Sequence, residues 1–119
     1  MKRLTKAEEE IMQIIWRLER CTVSEIIKEI GDPDTIPHST ISSIVRAVEK
    51  KGFLDHKAYG RTYEYFPVIK KEAYSRFTLK KLVSDYFEGS MNSLVSFLVK
   101  EKDLDRQELD ELLDQLDDD

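Results

Sequence analysis

Leu4, Ala7, Ile11, Ile14, Ile15 and Leu18 recur at steps of three and four residues, which predicts a first helix with one apolar stripe. Met12 and Trp16 lie beside the stripe and widen it, with Trp16 expected as a core or inter-element anchor. Thr5-Lys6-Ala7-Glu8 opens the helix as a capping box, in which hydroxyl and carboxylate each satisfy an end amide. A second box, Thr22-Val23-Ser24-Glu25, precedes a stripe of Val23, Ile26, Ile27 and Ile30. Gly31 stands where a C-cap is expected, and Asp32-Pro33-Asp34 blocks extension. A third helix begins between Pro37 and Ser39, with Ile41, Ile44, Val45 and Val48 toward the core. Ser39, Ser42, Ser43, Arg46 and Lys50 occupy its opposite side, and Lys50-Lys51-Gly52 stops it.

Phe53–Lys57 and Arg61–Phe66 are β-prone runs joined by Ala58-Tyr59-Gly60, a hairpin pattern with Pro67 at its end. Tyr63 and Tyr65 share one face of the second strand. From Ile69 the period is helical again. Tyr74, Phe77, Leu79, Leu82, Val83, Tyr86 and Phe87 give a broad apolar surface that ends at Gly89. Ser90 caps a further helix with Met91, Leu94, Val95, Leu98 and Val99 on one side. Asp105-Arg106-Gln107-Glu108 resembles a third capping box, spanned by a Leu104–Leu109 staple. Leu109, Leu112, Leu113 and Leu116 form the last stripe. The expected fold is mainly α with a small β-wing. A winged helix-turn-helix over residues 1–67 precedes a three-helix dimerisation region over 68–119.

Composition narrows the class. Hydrophobic residues make up 40% and charged residues 36% of 119, enough for a core and too charged for a membrane protein. No apolar run reaches the roughly 18 residues of a spanning helix. The N-terminus has no apolar h-region, so no signal peptide is expected, and a cytoplasmic location fits. Cys21 is the single cysteine, which excludes an internal disulfide and a CxxC-type zinc site. The bland expectation for Cys21 is a small buried residue between elements.

The net charge of −5 is unevenly spread. Residues 1–67 carry 11 Lys/Arg and 11 Asp/Glu, whereas residues 68–119 carry 8 and 13. Within 38–63, Arg46, Lys50, Lys51, Lys57 and Arg61 face only Glu49 and Asp55. Screening over about 8–10 Å lets such a local cationic patch act although the whole chain is acidic.

Candidate chemistry is non-catalytic. His38 and His56 have no Cys or His at ligand spacing and lie in no nucleophile motif, and the four glycines form no phosphate loop. No catalytic residue, cofactor or metal ligand is therefore expected. The polar face of the third helix reads as a nucleic-acid surface. The hydroxyls of Ser39, Thr40, Ser42 and Ser43 are short and can sit close to phosphates or base edges, and His38 at the helix start suits phosphate contact or plain exposure. Arg46 can fork onto guanine. Lys50, Lys51, Lys57, Arg61 and Tyr63 are expected beside the DNA backbone. For any single residue a solvated face is an equal alternative; helix, turn, helix, basic stop and wing in order weigh against it jointly. Residues 68–119 are too few for a robust separate core. Tyr74, Phe77, Leu82, Tyr86, Phe87, Leu94, Phe97, Leu98, Leu109, Leu112, Leu113 and Leu116 are the expected dimerisation surface.

The order of residues resembles the penicillinase repressor family, which includes methicillin-resistance and copper-transport repressors. The likeness spans nearly the whole chain. It is carried by Leu4-Thr5-Lys6-Ala7-Glu8-Glu9-Glu10-Ile11-Met12, Ile15-Trp16, Thr40-Ile41 and Lys50-Lys51-Gly52-Phe53-Leu54. It continues through Gly60-Arg61-Thr62-Tyr63, Tyr65, Pro67, Phe87-Glu88-Gly89-Ser90 and Leu94-Val95. The resemblance implies a winged helix, a helical dimerisation domain and repression from a palindromic operator in double-stranded DNA. In β-lactam-responsive members a membrane sensor protease cuts between Asn and Phe; the matching positions here are Phe97-Leu98. Copper-responsive members carry paired Cys-x-Cys motifs, which this chain lacks. The alternative is an adaptor that uses the winged helix to bind protein, without sequence-specific DNA binding.

Overall fold

The computed structural model describes residues 1–31, 36–102, 105, 107, 110, 111 and 114. Its elements are α1 (Lys6–Leu18), α2 (Val23–Ile30), α3 (His38–Lys50), β1 (Leu54–Tyr59), β2 (Thr62–Pro67), α4 (Lys71–Tyr86) and α5 (Met91–Lys102). The chain divides into two compact units, Met1–Lys71 and Glu72–Asp119.

In the first unit both expected capping boxes form. The Thr5 and Thr22 hydroxyls accept from the amides of Glu8 and Glu25 at 3.2 Å, and each carboxylate accepts in return from the threonine amide. These caps orient the apolar stripes. Ile11, Met12, Ile15, Ile26, Ile27, Ile41, Val45, Val48, Phe53 and Leu54 close one core among α1, α2, α3 and β1. One expectation for α1 shifts. Ala7 is exposed, and its neighbour Glu8 is the buried residue of the first turn. The Lys51 ammonium explains the inversion, because it reaches Glu8 Oε1 at 2.5 Å. A carboxylate can leave water when a cation and two hydrogen bonds replace it.

After α3 the backbone reverses at Gly52, whose φ of +88° is open to glycine and strained for other residues. The Phe53 amide then returns to Val48 O at 3.3 Å, and the Phe53 ring is fully buried. This reversal brings the wing beside the end of α3. β1 and β2 pair antiparallel from Leu54↔Pro67 to Tyr59↔Thr62. The loop is therefore Gly60-Arg61, two residues, rather than Ala58-Tyr59-Gly60. Only Gly60 of the two has positive φ, at +64°, as in a II′ turn that matches strand twist. Cys21 adds an isolated bridge on the other edge of β2: its amide donates to Tyr65 O at 3.0 Å and its carbonyl accepts from Tyr65 N at 2.7 Å. Cys21 is fully buried there, and burial with the Glu25 and Glu64 charges pushes its thiol pKa up to about 11. Trp16 anchors the exit of the unit, its indole N–H donating to Ile69 O at 2.9 Å.

In the second unit α4 carries its apolar residues around the helix rather than in one stripe. Tyr74 and Val83 are buried. Past α4, Glu88 and Gly89 both adopt positive φ, and the Ser90 hydroxyl accepts from the Ser93 amide at 3.1 Å to start α5. Leu94 and Val95 are the buried side of α5. Asp105 Oδ1 accepts from the Gln107 amide at 2.8 Å, as an N-cap does. The expected Leu104–Leu109 staple and the last leucine stripe lie outside the described residues.

Candidate nucleic-acid interface

A residue advances about 100° around an α-helix. Counting from the core side of α3, Ile41, Val45 and Val48 point inward and are buried. Ser39, Ser43, Arg46 and Lys50 fall opposite, and all four are exposed. His38 and Ser42 lie round toward the wing, and Thr40 lies on the far flank. Pro37 occupies the N-cap without a side-chain cap bond, and its carbonyl accepts from the Thr40 and Ile41 amides.

The wing meets this face. A cleft of about 300 Å³ is lined by Ser24 of α2, by His38, Ser42 and Arg46 of α3, and by Arg61 and Tyr63 of the hairpin. The fold thus gathers five of the expected residues around one groove. Ser24 and its neighbour Thr22 also line it, and were not expected. The signal for them is the second capping box, since the helix-turn-helix arrangement sets the start of α2 against α3. Tyr65 floors the cleft and is nearly fully buried. Burial, and then the Glu49 charge, raise its phenol pKa, so the hydroxyl stays protonated. Lys57 is exposed on β1, with its ammonium 5.4 Å from the Tyr59 ring centroid. Two exposed tyrosines, Tyr59 and Tyr63, flank the hairpin loop.

Lys51 does not join the group. It is one step further round α3 than Lys50, toward α1, and its ammonium lies 2.5 Å from Glu8 Oε1 and 3.3 Å from Arg3 O. Burial alone would raise the Glu8 carboxyl pKa. The Lys51 hydrogen bond, the Thr5 amide and hydroxyl, and the Lys51 charge outweigh it and hold that pKa below the ordinary value. Lys51 is a tie between α3 and α1, not a free cation for phosphate.

Expected dimer residues separate by exposure. Leu82, Tyr86 and Phe97 are exposed at 41%, 76% and 49%. Phe77, Phe87 and Leu98 are half-buried, and the Phe87 and Phe97 rings lie 5.5 Å apart. Tyr74 and Leu94 are buried within the chain and offer no free face. Leu109, Leu112, Leu113 and Leu116 lie outside the described residues.

The penicillinase repressor family pattern matches residues 4–118. The chain belongs to the penicillinase repressor family. It is 30% identical over 109 residues to the methicillin resistance regulatory protein MecI of Staphylococcus aureus (strain N315), covering 92% of this chain and 89% of that protein. The penicillinase repressor of Bacillus licheniformis is 29% identical over 109 residues, with coverage of 92% and 85%. The solution structure of the DNA-binding domain of the repressor BlaI superposes with a TM-score of 0.51 at 34% identity. That match covers 60% of this chain and 90% of the BlaI domain. The fold is therefore the family's mainly helical winged helix, with a two-stranded wing. Among the described residues no helix is long and apolar enough to cross a membrane.

Proposed function

We propose that this chain is a transcriptional repressor that occupies a palindromic operator as a homodimer. The single supporting observation is the exposed, hydroxyl-rich and cationic side of α3, set beside a hairpin with Arg61 at its tip. In this reading α3 lies in the major groove and the hairpin rests on the adjoining backbone. Ser42, Ser43 and Arg46 face base edges, and Arg46 is the one long donor at the middle of the helix. His38, Ser39 and Thr40 hold phosphate at the helix start. Lys50, Lys57, Arg61 and Tyr63 contact the flanking backbone. Lys51 is left out of the set because Glu8 already holds it.

Met1–Lys71 then acts as the DNA-binding unit and Glu72–Asp119 as the dimerisation unit. Leu82, Tyr86 and Phe97 are its exposed apolar anchors. A two-fold pair places two α3 helices on half-sites about one turn of DNA apart. A sensor protease is not assigned as a partner, because Phe97-Leu98 does not offer an Asn-Phe bond.

Fluorescence anisotropy tests the reading, with fragments selected by the protein from genomic DNA and with random duplex. The expected result is salt-sensitive binding to both, with the selected fragment held more tightly by about 4 kcal/mol or more. Absence of salt-sensitive binding to either duplex would leave the adaptor as the better account.

A further inference from the structure

We propose that Glu49, Asp55 and His56 form a binding site for one divalent transition-metal ion, which ties the last turn of α3 to the base of the wing. Sequence spacing gave no hint of it, because the three ligands belong to a helix end and a strand start. The reversal at Gly52 folds them together, and their ligand atoms lie within 4.8 Å of one another. His56 Nδ1 faces Glu49 Oε2 directly.

Two of the three donors are held from behind. The imidazole stacks on Tyr63, with centroids 4.3 Å apart and planes 14° from parallel, and lies at 5.6 Å from the Tyr65 ring. Asp55 and His56 are neighbours on a strand, so their side chains would ordinarily diverge. The Asp55 carboxylate instead bends back to accept from the His56 amide at 2.7 Å, which leaves its second oxygen for a ligand. Supported ligands of this kind lose little freedom when an ion arrives.

The donor set selects the ion. One imidazole nitrogen and two carboxylate oxygens suit zinc, cobalt, nickel or manganese. Copper(I) prefers sulfur, and calcium prefers an all-oxygen shell. Glu49 and His56 are half-buried and Asp55 is exposed, so water completes the coordination from the open side. The bound ion would fix the angle between α3 and the hairpin. The site stands without the DNA-binding reading, since it is detected through the metal alone.

The test is a cobalt(II) titration of the full chain followed by visible absorption, with zinc(II) calorimetry in parallel. The expected result is one ion per chain. His56→Gln and Asp55→Asn should each lower the affinity at least about tenfold, since even supporting residues of metal sites contribute that much. Glu29→Gln, an exposed carboxylate change elsewhere, should leave it unaltered. Zinc should also raise the melting temperature of the wild type and not of Asp55→Asn, because an ion that binds only the folded chain stabilises it. Circular dichroism checks the folding of each variant. If His56→Gln unfolds, the exposed Asp55→Asn decides alone. Less than one ion per chain in the wild type, or undiminished binding to a folded His56→Gln or Asp55→Asn, overturns the site.

Discussion

The two units bury their apolar residues to different extents. Among the described residues, fourteen of the eighteen buried hydrophobic side chains belong to Met1–Lys71 and four to Glu72–Asp119. The second unit exposes Leu82, Tyr86 and Phe97 over this smaller core, whereas the first exposes Met1 and Val68 and the two wing tyrosines Tyr59 and Tyr63 beside its larger one. The first unit closes a core from short stripes locked by caps and bridges. The second carries large apolar groups in water, the arrangement that association relieves. In our reading the front therefore supplies a rigid recognition surface and the back supplies the pairing.

Core truncation should separate the units most strongly. Phe53→Ala removes a fully buried ring at the α3–wing junction. It should cost about 3–5 kcal/mol in urea-induced unfolding. Tyr86→Ala removes a side chain that is 76% exposed. It should change the stability of the isolated chain by less than about 0.5 kcal/mol. Sedimentation equilibrium should nevertheless show the dimer weakened by about 2 kcal/mol, roughly thirtyfold. An unaltered dimer with Tyr86→Ala and Phe97→Ala combined would remove these residues from the pairing surface.

Arg46→Ala should next cost about 1–3 kcal/mol on the preferred operator with little change in melting temperature. Lys51→Ala should do the reverse. It leaves the buried Glu8 without its cation, so stability should fall by about 1–3 kcal/mol, seen in denaturant titration. Its salt dependence of DNA binding should stay near that of wild type. Lys50→Ala, one position earlier and exposed, should flatten the salt slope by about one. The Lys51–Glu8 tie also predicts a pH effect. A carboxyl whose pKa is depressed on folding adds stability above its unfolded pKa and loses it as pH falls through the folded value. Wild type should therefore lose this contribution on acidification below the ordinary carboxylate range. Glu8→Gln should show a shallower acid loss in thermal scans.

Local features were legible in the chain and convergent ones were not. Thr5 with Glu8 and Thr22 with Glu25 were readable because each cap is closed within four residues. The inward side of α3 was readable because Ile41, Val45 and Val48 keep the helical period. The hairpin loop was misplaced because register depends on pairing between strands, and Leu54↔Pro67 and Tyr59↔Thr62 set it. Lys51 was indistinguishable from Lys50 in sequence; a partner 43 positions away separates them. Ala7 follows the apolar period yet is exposed, since the same pairing draws Glu8 inward. The expected family and its wing were recoverable because turn glycines and aromatic positions are themselves local.

The most direct measurement is a heteronuclear NMR titration of the full chain with a duplex selected from genomic DNA. The account predicts that the largest chemical-shift changes fall on Ser39, Ser42, Ser43, Arg46 and Lys50 and on the Gly60-Arg61 loop, with Lys51 and Glu8 little moved. Changes confined to α4 and α5, or spread without preference for the outward side of α3, would contradict it.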